Sequence, residues 1–279
     1  MHGTTGRTGS GSLTVVGLGI QVPAHVTAET RAAIERADEV LCLLADPVAI
    51  AWLETVNPPV QPLHGLYEPG KSRRQTYDAI VEAILERVRR GARVCVAFYG
   101  HPGVFVDPSH EAIRGARREG FEARMLPAVS AEDCLFADLG VDPGRAGCQS
   151  YEATDFLLRE RLVDPSAALI LWQIGVVGNL TFVPEGDMSR LPVLVECVGR
   201  YYPLQHEVIV YEASVYPVCD PVISHLKLAE LAEADISPMA TLYVPPLPKR
   251  TSAAMAKRLG IVAPDRQASV AADSASARA

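Results

Sequence analysis

The 279-residue chain lacks several features that would assign it early. None of its six cysteines (Cys42, Cys95, Cys134, Cys148, Cys197, Cys219) forms a CxxC pair, and most lie in apolar runs, where a thiol behaves as a small hydrophobe. They read as reduced core residues. No apolar segment reaches the ~18 residues of a membrane span, and the opening MHGTTGRTGSGS has no apolar stretch suited to a signal peptide. The expected location is cytoplasmic, with no membrane partner. Basic residues are outnumbered, 26 Lys and Arg against 33 Asp and Glu, for a formal charge of -7. With no basic run interleaved with aromatics, nucleic acid is not an expected partner, although Lys71, Arg73 and Arg74 form a local basic patch. There is no internal repeat.

What is present is a chain 48% hydrophobic and 21% charged, enough to bury one large core or two smaller ones. LTVV (13 to 16) reads as a strand entering a tight loop at Gly17-Leu18-Gly19. Thr27 caps a helix over TAETRAAIERA, and DEVLCLLADP returns as a strand stopped by Asp46-Pro47. Ser72 and Gln75 have capping-box spacing, Ile80, Ile84 and Val88 recur on one face, and Gly91 stops this second helix. Arg73 then falls in its first turn with Tyr77 four residues on, one face at the electropositive end.

RVCVAF follows as a strand buried on both faces of a parallel sheet, so FYGHPGVFVDPSH (98 to 110) leaves its carboxyl end, where open α/β sheets bind ligands. Next come a helix near HEAIRGARREG, a strand FEARMLP, and a helix VSAEDCLFADLG with Ser130 as N-cap. From about Tyr151 the chain turns to longer β-rich runs, ALILWQIGVV, LPVLVECV, HEVIVYEASV and ATLYVPP, with a helix at ISHLKLAELAEA. The expected division is a flexible N-terminus (1–12), an N-terminal α/β domain (13–128), a C-terminal α/β domain (129–247) and a mostly disordered tail (248–279).

Simple motifs do not settle the chemistry. VGLGIQVP offers G-x-G without a third glycine or an immediate helix, a poor nicotinamide fingerprint. His101, Asp107 and His110 match no zinc spacing, so no metal is expected, and a loop histidine bonded to backbone is the plainer reading. Ser130 lacks a nucleophile elbow, and capping explains it. Tyr67, Tyr77 and Tyr99, each taken alone, read as half-buried aromatics.

Taken in order, VVGLGI, YGHPGVF, LPAVSAEDCLFADLG and ALILWQIG resemble the tetrapyrrole methylase superfamily over about residues 13 to 247. The resemblance implies a two-domain α/β fold, a parallel-sheet N-terminal domain and a mixed-sheet C-terminal domain, with S-adenosylmethionine (SAM) bound between them. YEPGKSRRQTY, FYGHPGVFVDPSH, ARMLPAVSAEDCLFADL and GCQSYEATDFLLR more narrowly resemble the borosin peptide N-methyltransferases, which methylate backbone amides. A general tetrapyrrole methylase carries Gly-Asp-Pro where this chain has Gly100-His101-Pro102.

The resemblance implies a catalytic set of Arg73, Tyr77 and Tyr99, with Tyr67 nearby. Arg73 is always protonated and would stabilise charge on an amide oxygen, while lowering the pKa of a neighbouring tyrosine so that Tyr77 or Tyr67 accepts a proton. Cofactor contacts are implied for Tyr99, His101, Val104, Ser130, Ala131, Gln173, Tyr211, Ala240 and Thr241, with Gly100 and Gly103 admitting close backbone approach. Fungal borosins carry their substrate fused at the C-terminus, beyond where this chain ends, so a precursor peptide supplied in trans is expected, with LGIVA (259 to 263) as a lesser candidate modified in cis. The family's interlocked homodimer is a further implication, and His64 stands where a tyrosine is often found. The alternatives are methylation of a tetrapyrrole or other small molecule, and a SAM-binding protein that presents a peptide without turnover.

Overall fold

A computed structural model describes residues 11–68, 70–181, 186–248 and 251–261. The first half alternates strands and helices: β1 (Ser12–Gly17), α1 (Ala28–Glu35), β2 (Glu39–Leu43), α2 (Pro47–Val56), β3 (Val60–Pro62), α3 (Arg73–Arg89), β4 (Arg93–Phe98), α4 (Asp107–Arg118) and β5 (Glu122–Met125). The strands form one parallel sheet in the order β3-β2-β4-β1-β5. Both faces are covered, as a parallel sheet requires. Leu13, Val15, Val96 and Phe98 pack against Ile80, Ile84 and Val88 of α3 and Ala112 and Ala116 of α4. On the other face Val16, Cys42, Cys95 and Ala97 meet Ala33 and Ile34 of α1 and Leu53 of α2.

The strand-helix-strand opening read from the sequence is followed by one further helix and strand, α2 and β3. Asp46-Pro47 stops β2 and also starts α2: the Asp46 carboxylate accepts from Val48 N (3.0 Å) and Ala49 N (3.2 Å), and proline suits the first helical turn. The glycine-rich loop therefore follows the fourth strand, not the third.

The second half contains α5 (Ala131–Leu139), α6 (Pro143–Ala146), β6 (Cys148–Glu152), α7 (Ala153–Leu158), β7 (Ala168–Trp172), α8 (Leu191–Val198), β8 (Glu207–Glu212), β9 (Val222–Lys227), β10 (Thr241–Val244) and α9 (Ala253–Arg258). Its sheet runs β6-β7-β10-β8-β9, with β6 and β7 parallel and the remaining pairs antiparallel. Two segments differ from their expected form. LPVLVECV is α8, because Leu191, Leu194, Val195 and Val198 bury one helical stripe that β-branched content obscured. ISHLKLAELAEA is divided between the exposed strand β9 and a 3-10 turn at Leu228–Glu233. Within the expected tail, Ser252 caps α9; the remainder of LGIVA after Ile261, like residues 1–10, lies outside the described residues.

The halves meet at the carboxyl ends of the parallel strands. Gln21 Nε2 donates to Ser214 O (3.3 Å), Tyr216 OH donates to Asp46 Oδ1 (2.9 Å), and Arg73 N donates to Leu180 O (3.2 Å). All six cysteines are free, with Cys42 and Cys95 buried and Cys219 exposed.

Candidate active site

β1 and β4 are neighbours and end in register, Gly17 beside Phe98, so their two loops emerge side by side. The loops pair through Gly100 N to Gly19 O (3.0 Å) and Gly19 N to Gly100 O (3.3 Å). A Cβ on Gly17 would lie 2.2 Å from Gly100 O, so the close approach of the two backbones excludes a side chain there. Gly100 has φ +66, left-handed backbone that glycine adopts without strain. The loop histidines act as braces: His101 Nδ1 accepts from Gly103 N (2.9 Å), and His110 Nε2 donates to Gly103 O (2.9 Å). Among the described residues no group of three or more His, Cys, Asp or Glu is placed to hold a metal.

Several residues of the expected cofactor set converge beyond this loop. Ser130 caps α5 in a full capping box: Asp133 N donates to its hydroxyl (3.2 Å), while Ser130 N and Oγ both donate to Asp133 Oδ2 (2.7 Å each). Ala131 packs in the same apolar cluster as Trp172 and Tyr211. Gln173 follows β7 in left-handed backbone, φ 60 and ψ 40. Ile174 N donates to Ala240 O (3.0 Å), and Thr241 is the register partner of Tyr211. Gln173, Ala240, Thr241 and Tyr211 therefore share one end of the second sheet. Tyr99 reaches toward them: burial, then Cys134 and Glu212, push its phenol up to about 12, although its ring edge leaves it 37% exposed.

This set fits an adenosyl ligand in a particular way. The polar side chains are largely committed, Ser130 to Asp133, His101 Nδ1 to Gly103, and Tyr211, whose hydroxyl donates to Asp138 Oδ2 (2.7 Å). Val104 and Ala131 are half-buried apolar groups, Ala240 is buried, and backbone groups and the Gln173 amide would remain to hold SAM.

Of the expected catalytic set, Arg73 and Tyr77 lie in the first turns of α3, Tyr67 lies just before it, and Tyr99 stands apart on the loop after β4. Ser72 and Gln75 form the capping box read from the sequence, which fixes Arg73 as the first helical residue. Among the described residues Arg73 makes no ion pair, whereas its neighbour Arg74 pairs with Asp78 (3.1 Å). Tyr67 follows the 3-10 turn His64–Leu66, its ring 5.5 Å from that of His64. Burial pushes the Tyr67 phenol up to about 12, helped by Tyr77 and opposed by Arg73. Burial likewise raises Tyr77; Arg73 opposes it, and Asp107 and Glu152 add to it. Arg73 thus acts on both tyrosines in the expected direction, but desolvation outweighs it, and both are neutral phenols at pH 7.

Four neighbours of this set were not singled out as site residues from sequence. Glu152 spends Oε2 on Asp155 N (2.7 Å) as the cap of α7, while its Oε1 is buried without a partner. Asn179 Nδ2 is also buried and unpartnered. Phe105 and Trp172 touch across the cleft, ring centroids 5.9 Å apart. Glu152 had one legible signal, an acid immediately before a helical segment. Two cavities lie elsewhere: one of about 250 Å³ near Thr14, Arg36 and Arg124, the other of about 240 Å³ near Val210, Ser224 and Asp235, reaching the cofactor set only at Ala240.

Comparison with known proteins bears on the fold and the family. A methyltransferase/ribosomally synthesized cyclic peptide gymnopeptides precursor of Gymnopus fusipes is 43% identical over 264 residues, 92% of this chain and 63% of that one. The omphalotin A precursor of Omphalotus olearius is 42% identical over 254 residues (89% and 61%), and a type I borosin precursor of Coprinopsis marcescibilis is 42% identical over 245 (85% and 62%). The chain spans less than two thirds of the length of these relatives. In fold it is similar to uroporphyrin-III-C-methyltransferase from Thermus thermophilus, TM-score 0.61 at 20% identity over 85% of this chain and 93% of that one. Diphthine synthase is similar too, TM-score 0.56 at 18% identity over 84% and 89%. The family profile for Tetrapyrrole (Corrin/Porphyrin) Methylases matches residues 12–218, and the chain belongs to that family.

Proposed function

We propose that the chain is a SAM-dependent methyltransferase acting on backbone amide nitrogens of a ribosomally made precursor peptide presented in trans. The observation that carries this reading is Arg73: a guanidinium without a carboxylate partner among the described residues, held by a capped helix and flanked by Tyr67 and Tyr77. The long identity with methyltransferase/peptide-precursor proteins supports a peptide as acceptor.

An amide nitrogen is a poor nucleophile because its lone pair is committed to peptide resonance. Loss of its proton moves negative charge to the oxygen, giving an imidate. Arg73 is suited to stabilise that oxygen, and a half-buried site strengthens the interaction relative to water. When bound, SAM supplies an electrophilic methyl group. In this reading Tyr99, on the glycine-rich loop beside the cofactor residues, holds the two reactants in order. Tyr77 and Tyr67 are neutral at pH 7, so they donate hydrogen bonds to the acceptor, and only their scarce phenolate forms remove its proton. The assembly in this reading is a cytoplasmic homodimer; β9 leaves an open edge carrying Val222 (52% exposed) and Ile223, which suits a second copy.

The test supplies the purified chain with labelled SAM and a desalted extract of its source cells. Label in a peptide fraction, absent with Arg73→Ala, is the expected result. Label in a pigment or small metabolite would replace the peptide with a small-molecule acceptor.

A further inference from the structure

The catalytic tyrosines and the cofactor loop leave one cleft residue unexplained. Phe105 has φ 54, left-handed backbone that a bulky aromatic residue rarely adopts. It is 48% exposed and rests on Trp172, ring centroids 5.9 Å apart and planes tilted by 46°. Trp172 is itself fixed, 7% exposed and donating from Nε1 to Ser150 Oγ (2.8 Å). The next residue, Gln173, is another non-glycine with positive φ. Phe105 thus packs on the residue just before a second strained position, and such strain concentrates at ligand clamps.

That contact is tied to Tyr77 through two neighbours. Asp107 lies two residues after Phe105, Glu152 is the register partner of Trp172, and both charges reach Tyr77. The exposed Leu180 (66%) anchors the start of α3 by accepting from Arg73 N through its carbonyl oxygen. Through Trp172 and its register partner Glu152, and through Asp107 two residues on, Phe105 is linked to the surroundings of Tyr77. A simple packing role would bury the ring, and it is half open.

We propose that Phe105, braced on Trp172, is the wall against which the side chain of the methylated residue is measured, and so determines which residues are accepted. The inference rests on the peptide reading above and adds a size filter to it. Removing the ring enlarges the pocket, and enlarging the ring narrows it.

The experiment uses the full chain, SAM and a synthetic pool of apolar nonapeptides with randomised flanks and a central Gly, Ala, Val, Ile or Phe, read by tandem mass spectrometry. Phe105→Ala is expected to raise the ratio of Ile and Phe to Gly methylation by about tenfold or more, the scale on which apolar pockets discriminate. Phe105→Trp should move that ratio the other way. SAM affinity, measured by calorimetry, should stay within about threefold of wild type, far below the effect of a lost cofactor contact. Ratios that stay constant while all acceptors slow together would assign the ring to packing and overturn the inference alone. A wild-type chain that methylates no backbone in the pool would overturn it together with the peptide reading. Phe105→Leu, which keeps an apolar side chain of intermediate size, should give an intermediate ratio and serves if Phe105→Ala melts early.

Discussion

The two sides of the cleft handle their polar groups differently. On the cofactor side Ser130, His101 and Tyr211 have spent hydroxyl or ring nitrogen on partners within the protein. On the proposed acceptor side, among the described residues, Arg73 lacks a carboxylate, and Glu152 Oε1 and Asn179 Nδ2 are buried without partners. Buried polar atoms without a hydrogen bond are costly; Arg87 Nε and Tyr202 OH are two more, outside the cleft, so the contrast rests on the cleft pair together with Arg73. The contrast separates two tasks. In the proposed reading a cofactor of constant shape is held by an internally satisfied surface, whereas charge that appears only during reaction needs groups kept in reserve.

The comparison breaks most visibly at Arg73. Arg73→Ala should lower the methylation rate by about 10²–10³-fold, the usual loss on removing one charge-stabilising donor, while SAM affinity by calorimetry is unchanged. A parallel loss of cofactor binding would erase the distinction between the two sides.

A smaller effect should appear in the pH dependence. Because burial holds Tyr77 above the ordinary tyrosine pKa, the phenolate is scarce at pH 7, and the rate should climb about tenfold per pH unit from 7 toward 10. Tyr77→Phe should flatten that climb. Glu152→Gln keeps an oxygen for the Asp155 cap but removes a negative charge near Tyr77, so the phenol pKa falls and the curve moves to lower pH.

The cofactor side should respond in stability more than in chemistry. Tyr211→Phe removes a buried hydroxyl from Asp138 and should cost about 1.5–3 kcal/mol in urea unfolding, the range for hydrogen bonds to charged groups. Ser130→Ala breaks the capping box of α5 for about 1 kcal/mol. That should appear as a fall in Tm of about 2–4 °C by calorimetry, with turnover at saturating SAM little altered.

Local signals made part of this legible in the sequence. The Ser72 and Gln75 box, the RVCVAF strand and the Ser130 cap all depend on side chains a few residues apart, and all three stand as read. α8 was hidden because its apolar residues include three valines, whose β-branching favours strands until tertiary packing decides. β9 was hidden because it is an exposed edge without a buried face to set a period of two. At the site, Arg73 and the tyrosines could be named, but the balance between Arg73 and desolvation could not, since burial is a property of the assembled cleft. The strain at Phe105 and Gln173 leaves no mark in composition or spacing.

The central claim is that Arg73 and its tyrosines activate a backbone amide. It is tested most directly by tandem mass spectrometry of a peptide treated with SAM and either the wild-type chain or Arg73→Ala. The account predicts added methyl groups on backbone nitrogens, identified by mass shifts that stay with the backbone fragments, and their loss in the variant. Methyl groups confined to side chains or termini, or backbone methylation that persists in Arg73→Ala, would contradict it.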